Sequence, residues 1–264
     1  SCMDEVFSGT NQNEMHDKSV RIFHPVIVDE IYLATNLFAK ELQNNDEKIH
    51  LFSMSDMVYV PFSGEFGPLN LADIHRFVAT LKDWRCKFAD IKTVYCVNGT
   101  KTELTNGIFL LGCYLTMSLG MDPQKVWDIF DSISHLVLPY RDASFGESDF
   151  NLELVDCWSA LVRASEHNWL AEYDMAEYAH YDNPLEGDIH SIIPSKLIAF
   201  KGPQTIAAGQ LYEDRDRRRI FSPQFYLDPF DDMGVRTVVR LNEREYDDDE
   251  FEQRGVRCVS LEFE

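Results

Sequence analysis

The sequence predicts an α/β fold, because short β-rich runs alternate with longer segments of helical periodicity. The clearest strand is 92–97 (KTVYCV), in which β-branched and aromatic residues precede a turn at Asn98-Gly99. The clearest helix follows from Leu104 to Leu119 and is apolar nearly all round, so we expect it to be buried. After residue 188 the same alternation starts again, which indicates a second unit.

The remaining elements follow the same two periodicities. An extended entry is predicted at 26–28, and strands are predicted at 31–33, 49–52, 57–60, 192–193, 197–200 and 237–241. Helices are predicted at 68–81, 122–133, 151–166 and 170–181, with a short one opened by Pro223 and a loop at 139–146. Asp122 and Pro123 are typical of a helix start, because aspartate caps free N–H groups and proline fits the first turn.

These patterns divide the chain into four parts. Residues 1–19 are polar and are expected to be a disordered or tag-derived leader. We predict a first domain at 20–170, a linker helix and loop at 171–190, and part of a further domain at 191–264. No apolar run is long enough to span a membrane, and the first residues are too polar for a signal peptide. We therefore expect an intracellular protein without membrane insertion.

The charge of the chain restricts its partners. The 264 residues include 24 Lys+Arg and 45 Asp+Glu, which gives a formal net charge of −21. Nucleic-acid binding needs a basic face for the phosphates, so this class of function is excluded. Basic partners or basic substrate segments are favoured instead. The run at 245–250 (EYDDDE) is interpreted as a solvated helix start, with contact to a basic peptide as the alternative.

Searches for common cofactor, metal and hydrolase motifs fail. The sequence contains no GxGxxG, GxxxxGK[ST], HExxH or GxSxG. Its six cysteines lack zinc spacing and are too few for a disulfide framework. His180, Asp182, Asp188 and His190 cluster in the linker but match no standard metal site, so we predict neither a metal nor a cofactor.

A cysteine phosphatase needs a thiolate, five residues that cradle phosphate, and an arginine. Cys157 and Arg163 have this spacing, but the intervening residues lack glycine and continue a helical period. Cys96 lies between a strand and a helix, as the chemistry requires, yet the residue six positions later is Thr102. The architecture of such a site is therefore predicted at Cys96 without its chemistry, and no catalytic residue is assigned.

Four segments, in order along the chain, carry a family resemblance. They are FGPLNL at 66–71, PYRDASFG at 139–146, IPSKLIAFKGP at 193–203 and VVRLNEREYD at 238–247. Together they resemble the cell-division-cycle-fourteen family of dual-specificity protein phosphatases. The resemblance implies tandem dual-specificity-phosphatase-like domains, each a central mixed sheet flanked by helices, with a degenerate first domain. It also implies that the second domain is truncated here, because its nucleophile loop and general acid do not occur in the sequence.

The resemblance further implies substrates that carry phosphoserine followed by proline, with a basic residue downstream. The candidate substrate-binding residues are the linker carboxylates Glu177, Asp182 and Asp188, while Ala179 stands where relatives carry a further carboxylate. Plain solvation of the linker remains an alternative for Asp182 and Asp188. A naturally short pseudophosphatase that acts as a protein-binding scaffold remains the alternative for the whole chain. Nuclear, cytoplasmic, centrosomal and basal-body locations are all compatible.

Overall fold

The fold is seen in a computed structural model that describes residues 21–35, 48–61, 64–143, 146–170, 174–215 and 218–262. Internal contacts divide the chain into two units, Ser1–His167 and Asn168–Glu264.

A four-stranded mixed sheet organises the first unit. The strands are β1 (Phe23–Ile27), β2 (Ile31–Thr35), β3 (Ile49–Phe52) and β4 (Lys92–Val97), in the order β1-β2-β4-β3. β1 is antiparallel to β2, whereas β2 and β3 both run parallel to β4. Five of the six β4 residues are buried, as expected for an interior strand of β-branched and aromatic residues. The predicted strand at 92–97 is confirmed.

The described part of the first unit also contains four helices and a 3₁₀ turn. They are α1 (Leu71–Lys87), α2 (Lys101–Leu119), α3 (Pro123–Ile129), the 3₁₀ turn Asp131–Leu136, and α4 (Leu154–Glu166). The Asp122 carboxylate accepts hydrogen bonds from the N–H groups of Gln124 and Lys125, so the predicted start of α3 is confirmed. Gly120 ends α2 in the left-handed conformation, at φ 65°.

Helix α2 is buried from Leu104 to Thr116, as its apolar sequence predicts. Its tightest contact is with α4, where an added Cβ at Gly112 would lie 2.1 Å from the Trp158 ring. Trp158 is fully buried, and its indole N–H donates to the Phe109 carbonyl oxygen at 3.0 Å. Because Gly112 has no side chain, the large Trp158 ring packs directly against the backbone of α2, and the two helices approach closely.

In the second unit, the residues that the structure describes form three strand pairs and three short helices. Its elements are α5 (Met175–Tyr181), β7 (Ile189–Ile193), β8 (Leu197–Phe200), β9 (Tyr212–Arg215), β10 (Arg218–Phe221), α6 (Pro223–Asp232), β11 (Thr237–Arg240), α7 (Asp249–Glu252) and β12 (Arg257–Ser260). β7 with β8 and β9 with β10 are antiparallel, and β11 with β12 is parallel. Their shared core is mainly aromatic: Ile189, Phe221, Tyr226, Phe230, Val238, Tyr246, Phe251 and Val256.

Several predicted boundaries are wrong. Residues 57–60 form no strand, and Val58 and Val60 are exposed at 54% and 81% because no neighbouring strand covers them. Part of the predicted loop at 139–146 is instead β5 (Tyr140–Arg141), which pairs with β6 (Asn151–Leu152), so α4 begins at Leu154 rather than at 151. The sequence patterns also missed the β9–β10 hairpin and β12.

The expectations for residues 1–19 lie outside the described residues. Among the helices that the structure does describe, none combines the length and apolar character that a membrane crossing requires.

We predict that Gly112→Ala destabilises the first unit. The added methyl group would overlap the Trp158 ring, and overpacking of this kind costs about 1–3 kcal/mol in the free energy of unfolding. This loss opposes the gain of about 1 kcal/mol that alanine brings within a helix. Urea unfolding followed by tryptophan fluorescence measures the change.

The matched control is Gly146→Ala, because a Cβ at Gly146 would meet no atom within 4 Å. Its free energy of unfolding should stay within about 0.5 kcal/mol of the parent chain. Equal stability of the two variants would contradict the close contact between α2 and α4.

Candidate functional site

A cavity of about 260 Å³ opens where β3 and β4 end, the edge of a parallel arrangement at which ligands commonly bind. The loop after β3, the last residues of β4 and the first turns of α2 contribute its walls. Aromatic and thioether side chains form much of the lining: Met54, Met57, Tyr59, Phe66 and Tyr95. Residues 57–60, wrongly predicted as a strand, therefore help to form the cavity wall.

The start of α2 is occupied by the chain's own carboxylate. The Glu103 side chain accepts hydrogen bonds from the Thr100 hydroxyl and from the Asn98 amide, each at 2.6 Å. The Thr100 hydroxyl oxygen in turn accepts the Glu103 backbone N–H at 3.2 Å. A carboxylate here is stabilised by the helix dipole and repels a second anion. Among the described residues that line the cavity, Glu65 and Glu103 carry carboxylates and none is basic.

Cys96 lines this cavity but is not set up as a nucleophile. Its Sγ lies 3.8 Å from the Val94 carbonyl oxygen, and burial raises the pKa of the thiol to about 11. The thiol therefore stays protonated at neutral pH, whereas nucleophilic attack requires the thiolate. Thr102, six residues later, also lines the cavity and carries no charge to clamp a phosphate. This geometry supports the prediction of phosphatase architecture without phosphatase chemistry.

The other cysteine with the required spacing lies inside a helix. Cys157 and Arg163 both belong to α4, and burial raises the pKa of Cys157 to about 11. The Arg163 guanidinium contacts the Glu166 carboxylate at 3.3 Å, on the exposed surface of the same helix. A helix interior offers no loop of free N–H groups around a phosphate. The predicted helical setting of Cys157 and Arg163 is confirmed, and the absence of a phosphatase site at this pair stays a prediction.

The second unit brings together two of the three predicted site residues. Asp182 follows α5, and Asp188 lies in the turn before β7, where it adopts a left-handed φ of 53°. His190 lies between them, with Nδ1 at 2.7 Å from an Asp182 oxygen and Nε2 at 3.1 Å from an Asp188 oxygen. The hydrogen bond with Asp188, opposed by desolvation and aided by the charge of Asp182, raises the pKa of His190.

In the sequence His190 was considered only as a metal ligand, and its contacts with both aspartates were not predicted. The available signal was a histidine two residues after an aspartate, just before the strand predicted at 192–193. Among the described residues, no group of three or more histidine, cysteine or carboxylate side chains is suited to hold a metal ion.

Glu177 lies elsewhere, in the first turn of α5, where it lines a cleft of about 1010 Å³. Its backbone N–H donates to the Asp174 side chain at 3.0 Å. Strands β8 and β11 supply much of the rest of this cleft. Of the three candidate carboxylates, Asp182 and Asp188 thus form a pair around His190, whereas Glu177 lies separately in the cleft.

The acidic run at 245–250 leads into α7, as the helix-start interpretation predicts. Asp248 precedes the helix, and its carboxylate binds the Arg240 guanidinium at 2.6 Å. The Arg240 side chain is only 7% exposed, so this ion pair fixes the end of β11 against the acidic segment.

Strand β4 of the mixed sheet carries Cys96 next to its last residue and is followed by the buried helix α2, an arrangement that fits a dual-specificity-phosphatase-like domain. Residues 25–164 match the family described as dual specificity protein phosphatase, N-terminal half. The chain is 32% identical over 220 residues to the human dual specificity protein phosphatase CDC14C, covering 81% of this chain and 48% of that protein. The CDC14C of Symphalangus syndactylus is 30% identical over 266 residues, covering 98% and 53%.

A fungal relative, the tyrosine-protein phosphatase CDC14 of Candida albicans, is 29% identical over 262 residues, covering 95% of this chain and 45% of that protein. The chain therefore belongs to the CDC14-type dual specificity protein phosphatase family. It spans about half the length of these curated relatives.

We predict that Cys96 resists alkylation. Its raised pKa leaves almost no thiolate near neutral pH, so iodoacetamide should modify it at least about tenfold more slowly than the exposed Cys86. Peptide mass spectrometry of timed samples gives both rates within one chain. Modification of Cys96 as fast as Cys86 in the folded protein would show an activated thiol and contradict the assignment.

Proposed function

We propose that this chain is the substrate-recognition and scaffold portion of a dual specificity protein phosphatase directed at phosphoserine-proline and also at phosphotyrosine. The observation that carries the proposal is the cavity at the end of β4, which retains the position of a phosphatase site while Glu103 fills it with negative charge. In this proposal the first unit serves as the scaffold, the carboxylates at Glu177, Asp182 and Asp188 of the second unit recognise the substrate, and a cysteine elsewhere in the protein performs the reaction.

The domain arrangement is part of the same proposal. Residues 20–170 form the non-catalytic domain, 171–190 the linker, and 191–264 the opening part of a truncated, tandem catalytic domain. Strands β11 and β12 support this assignment, because they begin a parallel sheet of the kind that phosphatase-like domains contain.

The proposed reaction is nucleophilic catalysis by cysteine. A thiolate attacks phosphorus, the substrate oxygen leaves with a proton, and water then hydrolyses the phosphocysteine. Within the printed sequence only Cys157 has an arginine six positions later, and it lies in α4. The residues of this chain therefore serve binding rather than the chemical step.

Recognition of a basic residue downstream of the phosphoserine is assigned to Asp182 and Asp188, with Glu177 as a further contact. Their side chains in the Asp182–His190–Asp188 cluster are about one-third exposed, at 32%, 36% and 31%, so a ligand can reach them. The net charge of −21 draws basic segments toward the protein as a whole. We place this activity inside the cell, in the nucleus or cytoplasm, with the centrosome or basal body as possible sites of action.

A naturally short pseudophosphatase that binds proteins as a scaffold is the second candidate. The loss of chemistry at Cys96 favours it, because a cavity of about 260 Å³ persists there without a nucleophile. A reading frame that continues into a cysteine loop would support the enzyme, and one that stops would support the scaffold.

We predict that the protein translated from the complete reading frame prefers basic phosphopeptides. Two phosphoserine-proline peptides that differ only in a downstream lysine or norleucine should differ in kcat/KM by about two- to fivefold at low salt and slightly alkaline pH. Asp182→Asn and Asp188→Asn should each lower this ratio, because each removes one attracting charge.

Asp228→Asn is the matched control, since it removes the same charge from a carboxylate that is 91% exposed in the same unit. Its ratio should equal that of the parent protein. Equal kcat/KM values for the two peptides at low salt would overturn the recognition assignment. Absence of any phosphatase activity would favour the scaffold instead.

A further inference from the structure

The Asp182–His190–Asp188 cluster already contains a cation-binding arrangement. One imidazole contacts two carboxylates through its two ring nitrogens, at 2.7 Å and 3.1 Å. Only the protonated ring can donate to both carboxylates, because a neutral imidazole carries a single N–H. In that state the cluster has a net charge of −1, and after deprotonation it has a net charge of −2.

Among the residues that the structure describes around His190, the other groups do not supply a competing charge. From α5, the Tyr178 ring lies edge-on at 6.3 Å. Across the β7–β8 pair, the residue opposite His190 is Ala199. The Lys201 ammonium donates to the Arg219 carbonyl oxygen at 2.7 Å, while the Tyr226 hydroxyl of α6 donates to the Gly187 and Lys201 carbonyl oxygens. The two aspartates are therefore the charged groups that determine the state of His190.

We propose that His190 is a specificity-determining residue, an internal cation that competes with a substrate's lysine or arginine for Asp182 and Asp188. This inference rests on the proposed recognition of basic residues by that pair. Protonated His190 occupies one oxygen of each carboxylate and cancels one of the two charges. Deprotonation releases one carboxylate and restores the full charge, so the preference for basic peptides rises with pH.

The direction of the pH effect on peptide preference follows from the pKa shift of His190. Because both carboxylates stabilise the imidazolium, the pKa of His190 lies above its ordinary value, and neutralisation of the site is lost as pH rises through that pKa. The ratio of kcat/KM for the lysine and norleucine peptides should increase about two- to fivefold as pH rises through that pKa, the effect of one partly exposed charge. Titration of the substrate phosphate and of catalytic groups cancels in the ratio, because both peptides share them.

The test compares three proteins translated from the complete reading frame. The parent should show the pH-dependent ratio. His190→Asn keeps a hydrogen-bond donor but cannot titrate, so its ratio should be high and independent of pH. His190→Lys keeps a permanent positive charge, so its ratio should be low over the same range.

A direct measurement uses the 264-residue chain itself. NMR titration of ¹³C-labelled histidine should give a His190 pKa above 6.5 that falls in Asp182→Asn and in Asp188→Asn. An unshifted pKa of His190 in the parent chain would overturn the inference, and this measurement does not depend on the folding of any variant. A raised pKa that neither substitution lowers would also overturn it.

The outcomes separate this inference from the proposed function. The kcat/KM ratio of the lysine and norleucine peptides could lie well above one, with the same pH dependence, in both the parent and His190→Asn. That result would support recognition by Asp182 and Asp188 and would overturn the role of His190. A ratio of one at every pH in the parent and in His190→Asn overturns the recognition pair itself. A rising ratio in the parent and flat ratios in both variants support both.

Discussion

The burial of α2 is the constraint on which the first unit depends. A helix without a polar face must be covered on every side, and here the sheet, α1, α3 and α4 surround it. Two glycines set the closest approaches. A Cβ at Gly107 would lie 2.7 Å from Val97 of β4, and one at Gly112 would lie 2.1 Å from Trp158 of α4. The absence of two side chains thus fixes α2 against the sheet on one side and against a helix on the other.

That placement determines what the cavity can do. It holds the first turn of α2 directly after β4, where a cysteine phosphatase would bind phosphate with backbone N–H groups. In this chain Glu103 supplies the negative charge, and the buried Cys96 remains a thiol. The scaffold and the chemistry are separable, because packing of α2 depends on Gly107 and Gly112 while catalysis would depend on a thiolate and an arginine.

Sequence patterns predicted the elements whose signals are local. Strand 92–97 and the helix start at Asp122-Pro123 both follow from neighbouring residues. The missed features depend on partners distant in sequence. Residues 57–60 resemble a strand but find no neighbour, whereas Tyr140–Arg141 pairs with Asn151–Leu152 across a loop. The contacts of His190 with both aspartates likewise require the turn at Asp188. No sequence motif predicts the left-handed backbone conformation of that residue.

The central claim is that these 264 residues carry recognition without the chemical step. The most direct test is hydrolysis of p-nitrophenyl phosphate by the purified chain, with intact mass spectrometry to establish that only the 264-residue species is present. The account predicts no turnover above that of buffer, and turnover by the protein from the complete reading frame. Hydrolysis by the 264-residue species alone, abolished by Cys96→Ser, would contradict the account.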